Sequence, residues 1–134
     1  MNSQAFPVLI GRLLLAVMFL GAAIDKFTGL EGTAGYIASA GLPVPTVLAV
    51  GAGLFELLGA LMLIVGWQAR WAALALAGFT LIASVVFHNF WAMPKAEQMV
   101  PMLLFMKNMA IIGGLLMVYA FGPGSLSLDA RRAA

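Results

Sequence analysis

Residues Thr46 to Trp67 read TVLAVGAGLFELLGALMLIVGW, an unbroken apolar run with one carboxylic acid, Glu56, near its centre. About 20 such residues make a helix long enough to cross the hydrocarbon core of a bilayer. Three other stretches qualify in the same way: Pro7 to Phe27, Trp71 to Trp91 and Pro101 to Gly122. Each of them also carries an ionisable side chain, Arg12, His88 and Lys107 respectively. A charge near the bilayer centre costs about 2.5 to 3.5 kcal/mol even on the lenient insertion scale, so each of the four requires a partner, a wet cavity or a function.

The expected fold is therefore all-α: a polytopic membrane protein, a four-transmembrane-helix bundle occupying residues 1–134 as a single domain. The composition agrees, with 63% hydrophobic residues and only 9% charged, and a mean hydropathy of +1.06. The spans use most of the chain and leave no room for a soluble catalytic domain. A net charge of only +2, scattered over helix ends and the tail, does not indicate nucleic acid. The absence of cysteine removes any thiol relay or thiolate metal site from this chain itself. Arg12, the run Leu13 to Leu20 and the small residues Gly21 to Ala23 imitate the three regions of a signal peptide. The apolar stretch extends on both sides of Arg12, however, and reads better as a retained span.

Arg70 lies between spans two and three, and Arg131 and Arg132 follow span four; the other two loops mix Lys26 and Lys95 with Asp25, Glu31 and Glu97. The positive-inside rule then places both termini and the Arg70 turn in the cytoplasm. Trp67, Trp71 and Trp91 fit aromatic belts at the two interfaces. In the outer loop from Thr28 to Pro45, Tyr36, Ile37 and Ala40 share a helical face and Gly41-Leu42-Pro43 supplies a stop. A short interfacial helix over the outer mouth of the bundle is expected there. Pro101 suits the first turn of span four, and Gly122-Pro123-Gly124 ends that span, leaving a short exposed tail.

Around Glu56, the small residues Ala49, Ala52, Gly53, Gly59 and Ala60 fall on one helical face, the pattern of close helix contact, which turns the carboxylate into the bundle. Counting about 1.5 Å per residue from the span ends brings Lys107 within reach of Glu56, and leaves Arg12 close enough to bridge to it or to snorkel away. Thr80, Ser84 and His88 recur at i, i+4 spacing as a polar stripe on span three. Two readings of Glu56, Lys107, His88, Ser84, Asn108 and Arg12 stay open. Either buried ion pairing only fixes how the helices pack, or these residues bound a polar cavity that binds a ligand or moves a proton. His88 alone lacks companions for a metal or haem site. The stripe Met99, Met102, Met106 and Met109 reads as lipid-facing or packing residues rather than a copper site. Gly51-x-Gly53 follows no strand and reads as helix packing.

The segments Gly11-Arg12-Leu13-Leu14, Gly41-Leu42-Pro43, Glu56-Leu57-Leu58-Gly59, Phe87-His88-Asn89-Phe90-Trp91, Lys107-Asn108 and Gly122-Pro123-Gly124-Ser125-Leu126-Ser127-Leu128-Asp129, in this order, resemble the DoxX family of small bacterial membrane proteins. The resemblance implies a four-helix membrane bundle and an association with redox chemistry, because related proteins serve as membrane subunits of thiosulfate:quinone oxidoreductase or assemble with oxidative-stress enzymes. Quinone is the ligand this implies, with no covalently bound cofactor. The expected partners are the lipid bilayer and either a redox enzyme or further copies of the chain, with no nucleic acid. A structural or assembly subunit and a small proton-coupled carrier are the alternatives.

Overall fold

The computed structural model describes residues 3–134. Four helices are long and apolar enough to cross a membrane: α1 (Ala5–Thr28), α3 (Pro45–Val65), α4 (Ala69–Phe87) and α5 (Met99–Phe121). Between the first two lies α2 (Leu30–Ser39), and α6 (Leu128–Ala133) follows the last. The boundaries have local causes. Pro45 opens α3, where its missing N–H is no loss. Gly66, with φ of 69°, closes it in the left-handed conformation that glycine accepts. Span three ends earlier than the hydropathy suggests. α4 stops at Phe87 and the chain turns through a short 3-10 segment, Phe90–Ala92. There Phe90 and Trp91 meet Phe105 of α5 edge to face, each with ring centroids 5.6 Å apart.

The bundle is assembled from two close pairs, α1 against α3 and α4 against α5. The small-residue face of α3 makes its contacts possible. A Cβ on Gly53 would lie 2.8 Å from the ring of Phe27, and one on Gly59 would lie 2.8 Å from the Leu76 side chain. Without a hydrophobic driving force in lipid, such close backbone approach is what holds membrane helices together. The pairs join at the end of the molecule that carries α6, around a core of Ala16, Phe19, Ala60, Leu63, Ala73, Leu76, Ala77 and Leu115. There Leu15 of α1 fits over Gly114 of α5.

The tail after span four, expected to lie exposed, is instead docked on that end. Asp129 accepts hydrogen bonds from the N–H groups of Gln68 and Ala69 at 2.8 and 3.0 Å, capping the first turn of α4. Its own N–H donates to Gly66 O at 2.9 Å. Ser127 caps α6 by accepting from Ala130 N–H, while Arg70 donates to the final carbonyls of α5, Tyr119 and Ala120. Arg12 lies beneath the tail, only 2% exposed. Its guanidinium donates to Pro123 O, to Leu126 O at 2.8 Å and to Ile64 O at 3.4 Å. Arg12 therefore neither bridges to Glu56 nor snorkels to the surface. It stands in the half of the bundle remote from α2, with its two terminal nitrogens on carbonyls of the segment after α5 and of the end of α3, while its buried Nε makes no hydrogen bond.

Candidate functional site

The α2 end of the bundle is built differently. Phe27, at the end of α1, packs level with Gly53 of α3, so α3 continues well beyond the point where α1 stops. The chain fills the resulting step with α2, which packs along the upper part of α3. From there Tyr36 reaches across to the other helix pair. Its ring stacks on Phe87 at 5.1 Å, and its hydroxyl donates to Phe87 O at 3.2 Å.

That step decides the partner of Glu56. Lys26 arrives level with the carboxylate, its Nζ donating to Oε1 at 3.1 Å and lying 2.9 Å from Oε2. Oε2 has ion-pair proximity without a well-directed hydrogen bond. The expected pairing of Glu56 with Lys107 is thus incorrect. Depths counted from helix ends assume that all spans start in one plane, and α1 does not. In addition, Lys107 belongs to the α4–α5 pair, whereas Glu56 faces α1.

The polar stripe of α4 is also redistributed. Thr80 and Ser84 turn their hydroxyls back onto the helix, donating to Leu76 O at 2.7 Å and Thr80 O at 2.6 Å. Asn108 Nδ2 then donates to Ser84 Oγ at 2.9 Å. This closed chain of bonds ties α5 to α4, the kind of polar adhesive that membrane helices use. His88 has left the stripe. It sits just past the end of α4, where its backbone N–H bonds to Ser84 O but its φ and ψ of −124° and 37° are no longer helical.

Between the two helix pairs, in the half of the bundle nearest α2, lies a half-open cavity of about 1080 Å³. Small-molecule sites span roughly 300 to 1,000 Å³, so the space suits a sizeable ligand. Its walls are mostly apolar, from Met18, Val47, Phe55, Phe79, Ile82 and Ile111 among others. Several polar groups converge on it: the Lys26–Glu56 pair, Thr80, His88, Lys107, Asn108 and, toward α2, Asp25, Thr33 and Tyr36. Of the residues singled out in the sequence, the structure brings Glu56, His88, Lys107 and Asn108 to this cavity. Ser84 is fully buried behind Asn108, and Arg12 is at the opposite end. Sequence reasoning missed Lys26, which reads as a loop charge, and Tyr36 as a tie between helix pairs. The i, i+1 pairing of Asp25 with Lys26 inside the expected span was the available signal, since one of two charges at a span end can turn inward.

A family model described as DoxX matches residues 7–89, from the first turns of α1 to just past the end of α4. The chain belongs to the DoxX family. It is 38% identical to the inner membrane protein YqjF of Escherichia coli over 91% of this chain and 88% of that one. It is 33% identical to the inner membrane protein YphA of the same organism, over 92% and 89%. A Surfeit locus protein 4 homolog of Schizosaccharomyces pombe is 26% identical, and there the alignment spans 98% of this chain but only 39% of the longer protein. No solved structure matches the chain. With four spans of this hydropathy, this member of the DoxX family is a multi-pass inner-membrane protein.

Proposed function

We propose that this DoxX protein is the membrane-embedded, quinone-binding component of a redox system. The cavity of about 1080 Å³ between the helix pairs carries the reading. A quinone has a flat head whose carbonyl oxygens seek donors and a long apolar tail. The cavity offers the Lys107 ammonium as a donor within apolar walls that are themselves half exposed toward the bilayer. A pure scaffold would have its polar side chains satisfy one another with no space between them. The Lys26–Glu56 and Ser84–Asn108 contacts do so, and they support the assembly-subunit alternative, but the empty volume beside them does not. The chain has no cysteine, and no cluster of three metal-binding side chains occurs among the described residues. Electrons are therefore assigned to a partner enzyme. Both termini and the Arg70 turn are placed in the cytoplasm on the strength of Arg70, Arg131 and Arg132, so the cavity faces the outer leaflet.

The test is quinone analysis by mass spectrometry of protein purified gently from its native membrane. About one quinone per chain is expected for wild type. Ala83→Phe, which adds a ring at the cavity wall, is expected to lose it while keeping the helical circular dichroism spectrum. Wild-type protein that carries no quinone, and takes up none when it is supplied in vesicles, would overturn the proposal.

A further inference from the structure

Of the charged side chains that line the cavity, Asp25, Lys26, Glu56 and Lys107, only Lys26 and Glu56 pair with each other. Glu56 is the buried carboxylate, and Lys26 is committed to it; theirs is the salt bridge among the described residues. Lys107 also lines the cavity, yet it makes no ion pair or hydrogen bond with any described residue. Asp25, at the end of α1, and Lys107 both reach the cavity as exposed side chains, and they are not within ion-pair distance of each other. Asn108, beside Lys107 in the chain, directs its amide nitrogen to Ser84. Lys107 lies eight residues into α5, about 12 Å of rise from its start. An ammonium at that depth is expensive unless an anion meets it or its stem lifts it toward the head groups.

We infer that Lys107 recognises a negatively charged oxygen, and that the cavity admits an amphiphile with an anionic head, a carboxylate or a phosphate, as well as a neutral quinone. The apolar wall of Phe55, Phe79 and Ile82 receives the chain of such a molecule, and the half-open side lets it enter from the lipid. An ammonium and an anionic oxygen form the stronger, charge-assisted class of hydrogen bond. Lys107 is therefore worth more to an anionic head than to a quinone carbonyl, and the two ligands compete for one space. The inference shares the cavity with the quinone reading but does not depend on it.

The test uses the full-length protein in nanodiscs of phosphatidylcholine, with oleate, dioleoyl phosphatidate and oleyl alcohol as probes and native mass spectrometry as readout. Wild type is expected to retain oleate or phosphatidate about tenfold better than the neutral alcohol, as befits a charge-assisted contact. Lys107→Gln should abolish that preference and Lys107→Arg should keep it. Retention of oleate alone identifies a free fatty acid as the source of the anion, and retention of phosphatidate identifies a phospholipid head; either supports the inference. Lys95→Gln controls for a surface cation at the same end. Equal retention of all three probes by wild type, or a preference that survives Lys107→Gln, would overturn it. Quinone retention is read separately, on wild type and Ala83→Phe, neither of which alters Lys107. Failure of the anion test therefore leaves the quinone result to be judged separately.

Discussion

Lys26→Met is expected to destabilise the protein more than Glu56→Gln, although both substitutions remove the same ion pair. The difference lies in what each one strands. The Glu56 side chain is 6% exposed and that of Lys26 23%. Without Lys26, a buried carboxylate stays among Gly53, Ala49 and Ala60 with no counter-charge, a situation that costs about 3 to 5 kcal/mol. Without the carboxylate, Lys26 can swing its ammonium into the half-open cavity, and the Gln side chain still offers an oxygen. The double variant Lys26→Met with Glu56→Gln should be milder than Lys26→Met alone, because neither partner is then left charged and unpaired. Unfolding in mixed micelles, run as a double-mutant cycle, measures the coupling directly. Lys107→Met is the contrasting change, and near-neutral stability with no coupling to Glu56 is expected of it. If Lys107→Met instead couples to Glu56 and Lys26→Met does not, the arrangement of α1 against α3 described above is wrong.

What the sequence could disclose here follows from what periodicity encodes. Hydropathy over windows of about 20 residues marks the four spans, because a bilayer imposes that length on any helix that crosses it. Helical phase reports which residues share a face, so the small stripe of α3 and the inward aim of Glu56 are legible from Ala49, Gly53, Gly59 and Ala60 alone. Periodicity carries no information about how far one helix is displaced along its axis relative to its neighbour. The pairing of Lys26 with Glu56 depends on that displacement, set by the packing of Phe27 against Gly53 and by the step that α2 fills. The i, i+4 pattern of Thr80, Ser84 and His88 misled for a related reason. It assumes the helix continues, whereas α4 ends at Phe87 and the chain turns toward Pro94. The docked tail was signalled but overlooked. Ser127 before Leu128-Asp129, with Arg131 and Arg132 in the following turn, has the cap, acidic start and basic end of a short helix.

Arg12→Met is expected to free that tail. Arg12 is the buried centre on which three otherwise unrelated segments converge: the end of α3 at Ile64, the turn at Pro123 and the approach to α6 at Leu126. Hydrogen bonds from a charged donor are worth about 1.5 to 3 kcal/mol each, and the part-buried carbonyls of Ile64, Pro123 and Leu126 all lose that donor. A loss of about 3 to 5 kcal/mol is therefore expected, on the scale of breaking other buried charged networks. Arg12→Lys should recover only part of it, since a single ammonium lacks the planar fork that spans separate acceptors. Amide hydrogen exchange distinguishes a released tail from a general loosening. The N–H groups of Asp129, Ala130 and Arg131, held by Gly66 O, Ser127 Oγ and Ser127 O, should exchange faster in Arg12→Met. The start of α4 should follow, because Asp129 no longer caps Gln68 and Ala69. Amides of α3 around Glu56 should change little, since the Lys26 pair lies in the other half of the bundle. Unchanged exchange over residues 123–133 would mean that the tail is held by Asp129 and Ser127 without Arg12. The burial of a guanidinium in the first span would then need a different cause.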